Sequence, residues 1–300
     1  MITIPVADDV IAAALAEDLG VAPDAVLRGR SGAGLLDRNV PSSATVPADA
    51  VFSGHVVARD AGVVCGLPVV ARTFGMLARA AGSGPVECFP LVAEGADVSE
   101  GGPVMDVDGP LRVVLAAERT ALDLLMVLSG IATEARRWQR AAGLDLAVTD
   151  TRKTLPGLRA LSKYAVAVGG AHNHRAGLYD MVLIKDNHIA YAGDVTAAVR
   201  AARTGAPGLL VECEADSIAQ AVDAARAGAD YVLLDNMDDA MLAEAVRAVR
   251  EAASGRPCLT EASGRVAFER LPALAAAGVD RVSTSALTLA RPLDFGLDTR

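Results

Sequence analysis

Along this chain the spacing of apolar positions changes character near residue 117. Before it, short apolar runs at 51–59, 86–92 and 111–115 alternate with turn-rich stretches such as Gly82 to Pro85, Glu100 to Pro103 and Asp108 to Pro110. Short apolar runs bounded by Gly, Pro and Asp predict strands. One amphipathic stretch, 67–81, predicts a helix. The natural product of this texture is an antiparallel sheet with a few helices.

After residue 117 the periods lengthen. Residues 118–142 predict one long helix. Six short apolar runs follow, at 146–149, 181–184, 209–211, 231–234, 258–260 and 281–284. Amphipathic helices at 194–204, 216–227, 238–253 and 266–277 separate most of them. Asp194, Asp216 and Asp238 stand where helix N-caps belong, because a short side-chain acceptor there satisfies free first-turn amides. Strands apolar on both faces and separated by helices make a parallel sheet. Six such strands and one further element predict a closed or nearly closed α/β barrel.

Composition narrows the class. Half of the 300 residues are hydrophobic and only 3% are aromatic, so the core is built from Ala, Val and Leu. No run of about 18 apolar residues exists, which predicts no membrane span. The first residues, Met1-Ile2-Thr3-Ile4-Pro5 and then Asp8-Asp9, lack the basic and apolar regions of a signal peptide. Cys65, Cys88, Cys213 and Cys258 are far apart and form no CxxC pair, which argues against zinc and against a disulfide framework and fits a reducing cytoplasm. Cys213 and Cys258 sit in apolar runs and read as small core residues.

Charge locates the chemistry. The chain has 25 arginines but only three lysines, Lys153, Lys163 and Lys185, all within one short stretch with His172, His174 and His188. A lysine kept where arginine is the rule marks a place for a compact ammonium. Residues 150–190 carry net +3 in a chain of net −9. Nucleic acid needs an extended basic face. A local positive pocket suits a small anionic ligand.

The chemistry of a parallel barrel gathers at the carboxyl ends of its strands. Here every apolar run ends in polar residues: Asp150-Thr151-Arg152-Lys153-Thr154, Lys185-Asp186-Asn187-His188, Glu212 and Glu214, Asp235-Asn236, Glu261-Ala262-Ser263-Gly264, and Ser283-Thr284-Ser285. Arginine grips carboxylate or phosphate with a two-pronged fork, and lysine serves phosphate as a point charge. Glu214 and Asp235 can accept from sugar hydroxyls or hold Mg2+ through oxygen. Ser263-Gly264 and the small residues at 283–286 let backbone amides approach a phosphate. The set describes a phosphorylated sugar beside a carboxylated co-substrate.

These motifs resemble one family. Asp150-Thr-Arg-Lys-Thr-Leu-Pro-Gly-Leu-Arg-Ala-Leu with Lys163-Tyr164-Ala165, Gly169-Gly170-Ala-His-Asn173-His174-Arg175, and Leu183-Ile184-Lys185-Asp186-Asn187-His188 are similar to quinolinate phosphoribosyltransferase. Glu118-Arg119-Thr120-Ala121-Leu122, Leu128-Ser129-Gly130-Ile131-Ala132-Thr133, Leu233-Leu234-Asp235-Asn236 and Ala286-Leu287-Thr288 add support. The resemblance runs from about residue 45 to the end. It implies a type II phosphoribosyltransferase-like α/β fold: an N-terminal α/β sandwich over 1–116, an open parallel α/β barrel over 117–286, and a return of 287–300 to the first domain. It implies Mg-dependent transfer of phosphoribose from 5-phosphoribosyl-1-pyrophosphate to quinolinate with loss of CO2, and a homodimer with shared sites that can assemble further. Arg119 of the second subunit, Arg152, Arg175 and His174 would clamp the quinolinate carboxylates. Lys153 and Lys185 would serve both substrates, with Thr151 beside them. Glu214 and Asp235 would hold ribose hydroxyls and Mg2+. Ser263, Gly264 and Ser285 would bind the 5-phosphate. Lys163 keeps a structural role.

The chain departs from the family at several positions. A longer segment, 21–43, reads as a surface loop. Asp123 replaces a usual Asn, Arg265 a common Gly, Ser285 a phosphate-side Gly, and Leu289-Ala290 a His-Ser pair. The alternatives are a paralogue such as the molybdenum-locus relative, a same-fold enzyme for another aromatic acid, nicotinate for example, and a non-catalytic binder of a phosphoribosyl ligand.

Overall fold

A computed structural model describes residues 4–5, 7–29 and 32–300. They divide into two compact units: 1–134 with 155–169 and 289–300, and 135–154 with 170–288. The break expected at 116/117 therefore falls inside one continuous helix, and a piece of the middle of the chain belongs with the first unit. Family resemblance and chain order place domains by segment, and here the segments interleave.

The first unit begins with α1 (Asp8–Leu19), α2 (Pro23–Leu27), a 3-10 stretch at Gly32–Arg38 and α3 (Val40–Thr45). The expected surface loop over 21–43 is thus mostly helical, apart from residues 30–31, which lie outside the described residues. Val26 and Leu35 are buried, Pro23 and Pro41 sit in the first turns where proline fits, and Asn39 accepts the Ser42 amide as a cap. The sheet follows: β1 (Val51–Ala58), β2 (Gly62–Val63), α4 (Leu67–Ala81), β3 (Glu87–Pro90), β4 (Asp97–Val98) and β5 (Pro103–Pro110). With β12 (Phe295–Thr299) the main sheet is antiparallel in the order β12-β1-β5-β3, while β2 and β4 pair separately.

Residues 111–115 are not a strand. They are the first turn of α5 (Leu111–Ala142). Val113, Val114, Ala117, Ala121, Leu125 and Leu128 are all buried, so helical spacing overrides the β-branched look of the run. Farther along, Ser129 and Thr133 use their hydroxyls on backbone: Cys65 N–H donates to Ser129 Oγ at 2.9 Å and Val63 N–H to Thr133 Oγ1 at 2.8 Å. Gly130 lets the 291–292 backbone lie against the helix, since a Cβ there would sit 2.2 Å from the Arg291 carbonyl oxygen. α6 (Arg159–Gly169) completes the first unit. It buries Lys163 and Tyr164, whose hydroxyl donates to Glu94 at 3.0 Å.

The second unit is a six-stranded parallel sheet built from β6 (Ala147–Thr149), β7 (Val182–Ile184), β8 (Val211–Ala215), β9 (Tyr231–Asp235), β10 (Leu259–Ser263) and β11 (Arg281–Ser283). Its order is β6-β11-β10-β9-β8-β7, so the first two strands lie at opposite edges and the barrel is open between them. The free edge of β6 is met by the 172–174 segment, through His172 N–H to Val148 O (2.8 Å) and Asp150 N–H to His172 O (3.1 Å). Helices α7 (Asp186–Ala192), α8 (Val195–Gly205), α9 (Ile218–Ala227), α10 (Asp239–Ala252) and α11 (Leu271–Ala276) connect the strands. Alanine supplies much of their buried face, as the scarcity of aromatics required: Ala198, Ala221, Ala224, Ala225 and Ala245 are all buried. Asp194 and Asp238 cap α8 and α10. Asp216 does not cap α9. Ser217 does, accepting the Gln220 amide, which frees Asp216 for the rim of the barrel. No helix of the described residues is long and apolar enough to cross a membrane.

Replacing Gly130 by Ala drives a methyl into backbone that cannot swing aside. We expect a loss of about 1–3 kcal/mol in urea denaturation without a change in m-value.

Candidate active site

Alternation decides what each strand shows to the barrel interior. On β8 the even positions face in and the odd ones pack outward: Val211 and Cys213 are fully buried in the core, while Glu212 and Glu214 enter the barrel. On β9, β10 and β11 the odd positions Leu233, Glu261, Ser263 and Ser283 line the pocket. Thr151, Arg152, Lys153, His174, Arg175, Leu183 and Lys185 complete its wall, around roughly 600 Å3 that includes an open mouth. The structure therefore brings seven of the expected residues onto one cavity: Thr151, Arg152, Lys153, His174, Arg175, Lys185 and Ser263.

Four cations, Arg152, Lys153, Arg175 and Lys185, line this wall. Lys185 Nζ pairs with Glu214 Oε2 at 2.7 Å. Burial, and then the neighbouring Arg152, holds Arg175 below its ordinary value, partly offset by Glu212 and Asp180. Arg152 keeps a buried Nε with no hydrogen-bond partner. Two guanidiniums held together and partly dehydrated are a standing cost that an anion with two carboxylates relieves.

The backbone beneath these cations is fixed by side chains. Four successive amides have acceptors: His174 N–H donates to Asp150 Oδ1 (2.9 Å), Arg175 N–H to His174 Nδ1 (2.8 Å), and Ala176 and Gly177 N–H to the Asp180 carboxylate (2.7 and 2.9 Å). Lys185 is held in the same way, its amide donating to His188 Nδ1 at 2.9 Å. Thr288 Oγ1 donates to the Lys153 carbonyl at 2.6 Å and fixes a third cation.

Glu214, Asp216 and Asp235 gather at the ends of β8 and β9, with one carboxylate oxygen from each within 4.8 Å of the others. Asp216, which stands before α9 and reads in the sequence as a helix cap, joins the two acids expected here. Beyond them, β9 and β10 end in left-handed turns. Asn236 has φ 53°, Gly264 φ 92° and Arg265 φ 46°. A Cβ on Gly264 would lie 2.3 Å from Asn236 Oδ1, so the turn closes only on glycine. The φ of Arg265 gives the physical reason a glycine is common there: the arginine bears about 1–2 kcal/mol of backbone strain. Ser285 lies in the turn after β11, where its carbonyl accepts from Thr288 at 3.4 Å, and it does not line the pocket.

Arg119 belongs to the first unit, where its exposed guanidinium pairs with Asp123 at 3.2 Å, one helical turn on. The departure at Asp123 thus gives Arg119 a local partner.

The pocket floor holds an ionic cluster whose glutamates the sequence offered only as strand ends. Glu212 and Glu261 are fully buried and bracket Arg281. Arg281 Nη2 donates to Glu212 Oε1 at 2.8 Å, its Nε pairs with Glu261, and its guanidinium stacks 3.6 Å over the Tyr231 ring. His174 Nε2 reaches Glu212 Oε2 at 2.8 Å and lies 3.6 Å from Glu261. Neither Glu261 oxygen has a well-aligned donor among the described residues. Burial and then the charge of Glu212 push its carboxyl up to about 7. Burial acts on Glu212 too, but His174 and Arg281 outweigh it and hold that carboxyl below its usual range. A charged residue inside an apolar run, as in Val211-Glu212-Cys213 and Thr260-Glu261-Ala262, is the signal that could have revealed the floor.

An open parallel barrel with arginines, lysines and a carboxylate trio on its carboxyl rim defines an enzyme for small, multiply anionic substrates. The chain belongs to the quinolinate phosphoribosyl transferase family: the C-terminal domain model of that family matches residues 131–298 and its N-terminal domain model residues 39–129. Among its relatives, the nicotinate-nucleotide pyrophosphorylase [carboxylating] of Mycobacterium leprae is 41% identical over 262 residues, covering 87% of this chain and 90% of that protein. The human protein of the same name is 40% identical over 245 residues, with 80% of each chain covered. A crystal structure of nicotinate-nucleotide pyrophosphorylase from Ehrlichia chaffeensis superposes with a TM-score of 0.85 at 28% identity, covering 99% of this chain and 100% of the other.

The Glu261 carboxyl supplies a pH test. Its pKa is higher folded than unfolded, so between about 4.5 and about 7 the native state binds the extra proton and stability falls as pH rises. We expect Glu261→Gln, which cannot ionise, to lose less stability than wild type between pH 5 and pH 8, by on the order of 2 kcal/mol in denaturant titrations.

Proposed function

We propose that this protein transfers the phosphoribosyl group of 5-phosphoribosyl-1-pyrophosphate to quinolinate and releases CO2, forming nicotinate mononucleotide and pyrophosphate for NAD biosynthesis. The observation that carries this reading is the presence of Arg152 and Arg175 on one pocket wall with Lys185, whose ammonium reaches the Glu214-Asp216-Asp235 trio. A wall that needs two negative charges favours a dicarboxylate over nicotinate. The carboxylates beside Lys185 favour catalysis over simple binding.

The chemistry needs orientation and charge compensation more than a nucleophile. The bond from the anomeric carbon to pyrophosphate breaks with its electron pair on the leaving oxygen, and the cationic ribose is stabilised by nearby carboxylates. The pyridine nitrogen lone pair forms the new bond to that carbon. The carboxylate next to the nitrogen then leaves as CO2, its bonding pair passes to the ring carbon, and a proton from solvent replaces it. In this reading Arg152 and Arg175 hold the carboxylates, and Lys153 and Lys185 lie between acid and phosphoribose, with Thr151 receiving the Lys153 amide. Ser263 and Gly264 face the 5-phosphate, with Ser285 in the adjoining turn.

The acidic trio fits Mg2+ in donor chemistry, since it offers three carboxylate oxygens within 4.8 Å of one another. Glu214, Asp216 and Asp235 would hold the ion, and it would neutralise charge on the pyrophosphate. Arg119 of the partner subunit would complete the acid site in a homodimer, which can assemble further. The four cysteines are unpaired and three of them are buried, which supports a reducing cytoplasm as the place of work.

The deciding experiment mixes protein, quinolinate, 5-phosphoribosyl-1-pyrophosphate and Mg2+ and follows nicotinate mononucleotide and CO2 together. Equal formation of both, with no product from nicotinate, is expected. Product from nicotinate, or none from either acid, would overturn the assignment. Arg175→Ala should cost about 2–5 kcal/mol in quinolinate binding measured by calorimetry, because it strands the carboxylate that the guanidinium neutralised. Gly264→Ala should raise KM for 5-phosphoribosyl-1-pyrophosphate and leave that for quinolinate close to wild type, since it strains only the phosphate-side turn.

A further inference from the structure

Strands β9 and β10 both run into left-handed backbone, but with different residues. β9 passes into Asn236 at φ 53°, a residue type that visits this region at little cost. β10 passes into Gly264 at φ 92° and then Arg265 at φ 46°. Arginine has no short polar group to bond back to its own backbone, so its left-handed conformation gets no local compensation. Its side chain offers none either. Arg265 is exposed, and its guanidinium has no hydrogen-bond or ion-pair partner among the described residues. The amides of Gly264 and Arg265 likewise have no acceptor among the described residues. Strain that the free protein leaves uncompensated points to a task at that position.

The charges around the turn say which task. Arg152 and Lys153 follow β6 and Lys185 follows β7, the strands at the two edges of the sheet. β9 and β10 are its middle strands, and the segment after β9 carries Asp235, Asp238 and Asp239. The cations that follow these middle strands are Arg265 and Arg270. Arg270 is already engaged: its Nη2 donates to Asp239 Oδ1 at 2.6 Å and to the Met237 carbonyl at 3.1 Å. A dianion at the Ser263-Gly264 turn would lie beside carboxylates, and Arg265 is the cation there with its donors still open.

We propose that Arg265 is a binding residue for the 5-phosphate of the phosphoribosyl substrate, its guanidinium closing over the anion while the Gly264 and Arg265 amides meet it from the turn. This rests on the assignment of Ser263 and Gly264 to that phosphate. A guanidinium reaches two phosphate oxygens at once, which a backbone turn alone does not neutralise. The left-handed φ sets the root of the side chain directly after Gly264, whose close approach to Asn236 Oδ1 fixes the turn. All of these residues lie in the second unit.

The test is ribose 5-phosphate binding to the full chain, titrated by calorimetry or, where affinity is weak, by phosphorus-31 NMR. Arg265→Ala keeps the strain and removes the charge, and should weaken ribose 5-phosphate by about 10- to 100-fold. Arg265→Lys restores a point charge and should bind within about fivefold of wild type. Arg265→Gly should bind as weakly as Arg265→Ala, yet unfold at a higher urea concentration than either wild type or the alanine variant, because glycine adopts φ 46° freely. Quinolinate affinity should change by less than about twofold in all three. Wild-type ribose 5-phosphate affinity in the alanine or glycine variant would overturn the proposal, and so would an equal loss of quinolinate affinity. In nitrogen-15 NMR the Arg265 Nε–H signal, identified by its absence from the lysine variant, should shift when ribose 5-phosphate is added; a signal that stays in place refutes the contact. Ribose 5-phosphate binds without the acid and without turnover. A failure of the assigned reaction is therefore distinguishable from a failure of this contact.

Discussion

The rest of the second unit is arranged around a largely buried arginine held between two fully buried glutamates. A small parallel barrel is ordinarily filled by layers of branched aliphatic side chains. Here the layer beneath the pocket is ionic, and dehydrating such groups costs several kcal/mol apiece unless every charge has a close partner. Arg281 serves both carboxylates, and Tyr231 covers one face of its guanidinium. Burial, and then the charge of Glu212, raises the Glu261 carboxyl to about 7, so that acid carries its proton readily. The floor thus approaches neutrality by combining one fixed cation, one firmly ionised acid and one acid that holds its proton with ease. A fully charged floor of either sign would tilt the field on the cations above it.

Those cations are placed by a repeated device. Arg175 and Lys185 each have their backbone amide held by the Nδ1 of a histidine, the preceding residue in one case and the residue three ahead in the other. Fixing the amide fixes the root of the side chain and leaves the charged head available. A salt bridge would fix the head but would consume the charge the substrate needs. Lys185 shows both modes, since its ammonium rests on Glu214 at 2.7 Å in the ligand-free protein. An anionic substrate competes there with a rim carboxylate, and the half-exposed ammonium can exchange one partner for the other at small cost.

The sequence disclosed the rim better than the floor, for a physical reason. Residues that end strands appear as polar letters after an apolar run, and six such endings in register were readable one by one. Glu212 and Glu261 appear as interruptions within a run, which resemble a strand end that comes early. Only the two-residue alternation of a paired strand shows that Glu212 and Glu214 share a face. Asp216 was read as a cap because it precedes a helix, but Ser217 is one residue closer and its shorter side chain reaches the first-turn amide. Residues 111–115 looked extended through their valines, yet the preceding Pro103–Pro110 strand and the buried spacing of Val113, Val114 and Ala117 make them a helix start. The grouping of α6 with the first unit was not legible at all, since nothing local in 155–169 says which core its buried face will join.

The contrast between a net charge of −9 and a cationic pocket bears on how such a site is filled. At physiological salt the screening length is about 8 Å, so the acidic surface repels polyanions weakly at a distance and the rim cations attract them strongly only near contact. Long-range steering therefore contributes little to capture, and affinity must come from short, directional contacts at the rim. That places a premium on where the guanidiniums point. A flexible cluster of lysines would serve a site that gathers anions from afar. A site that engages them only at contact needs forks held at fixed angles, and this barrel supplies that by tying down the arginine's backbone amide on His174 Nδ1.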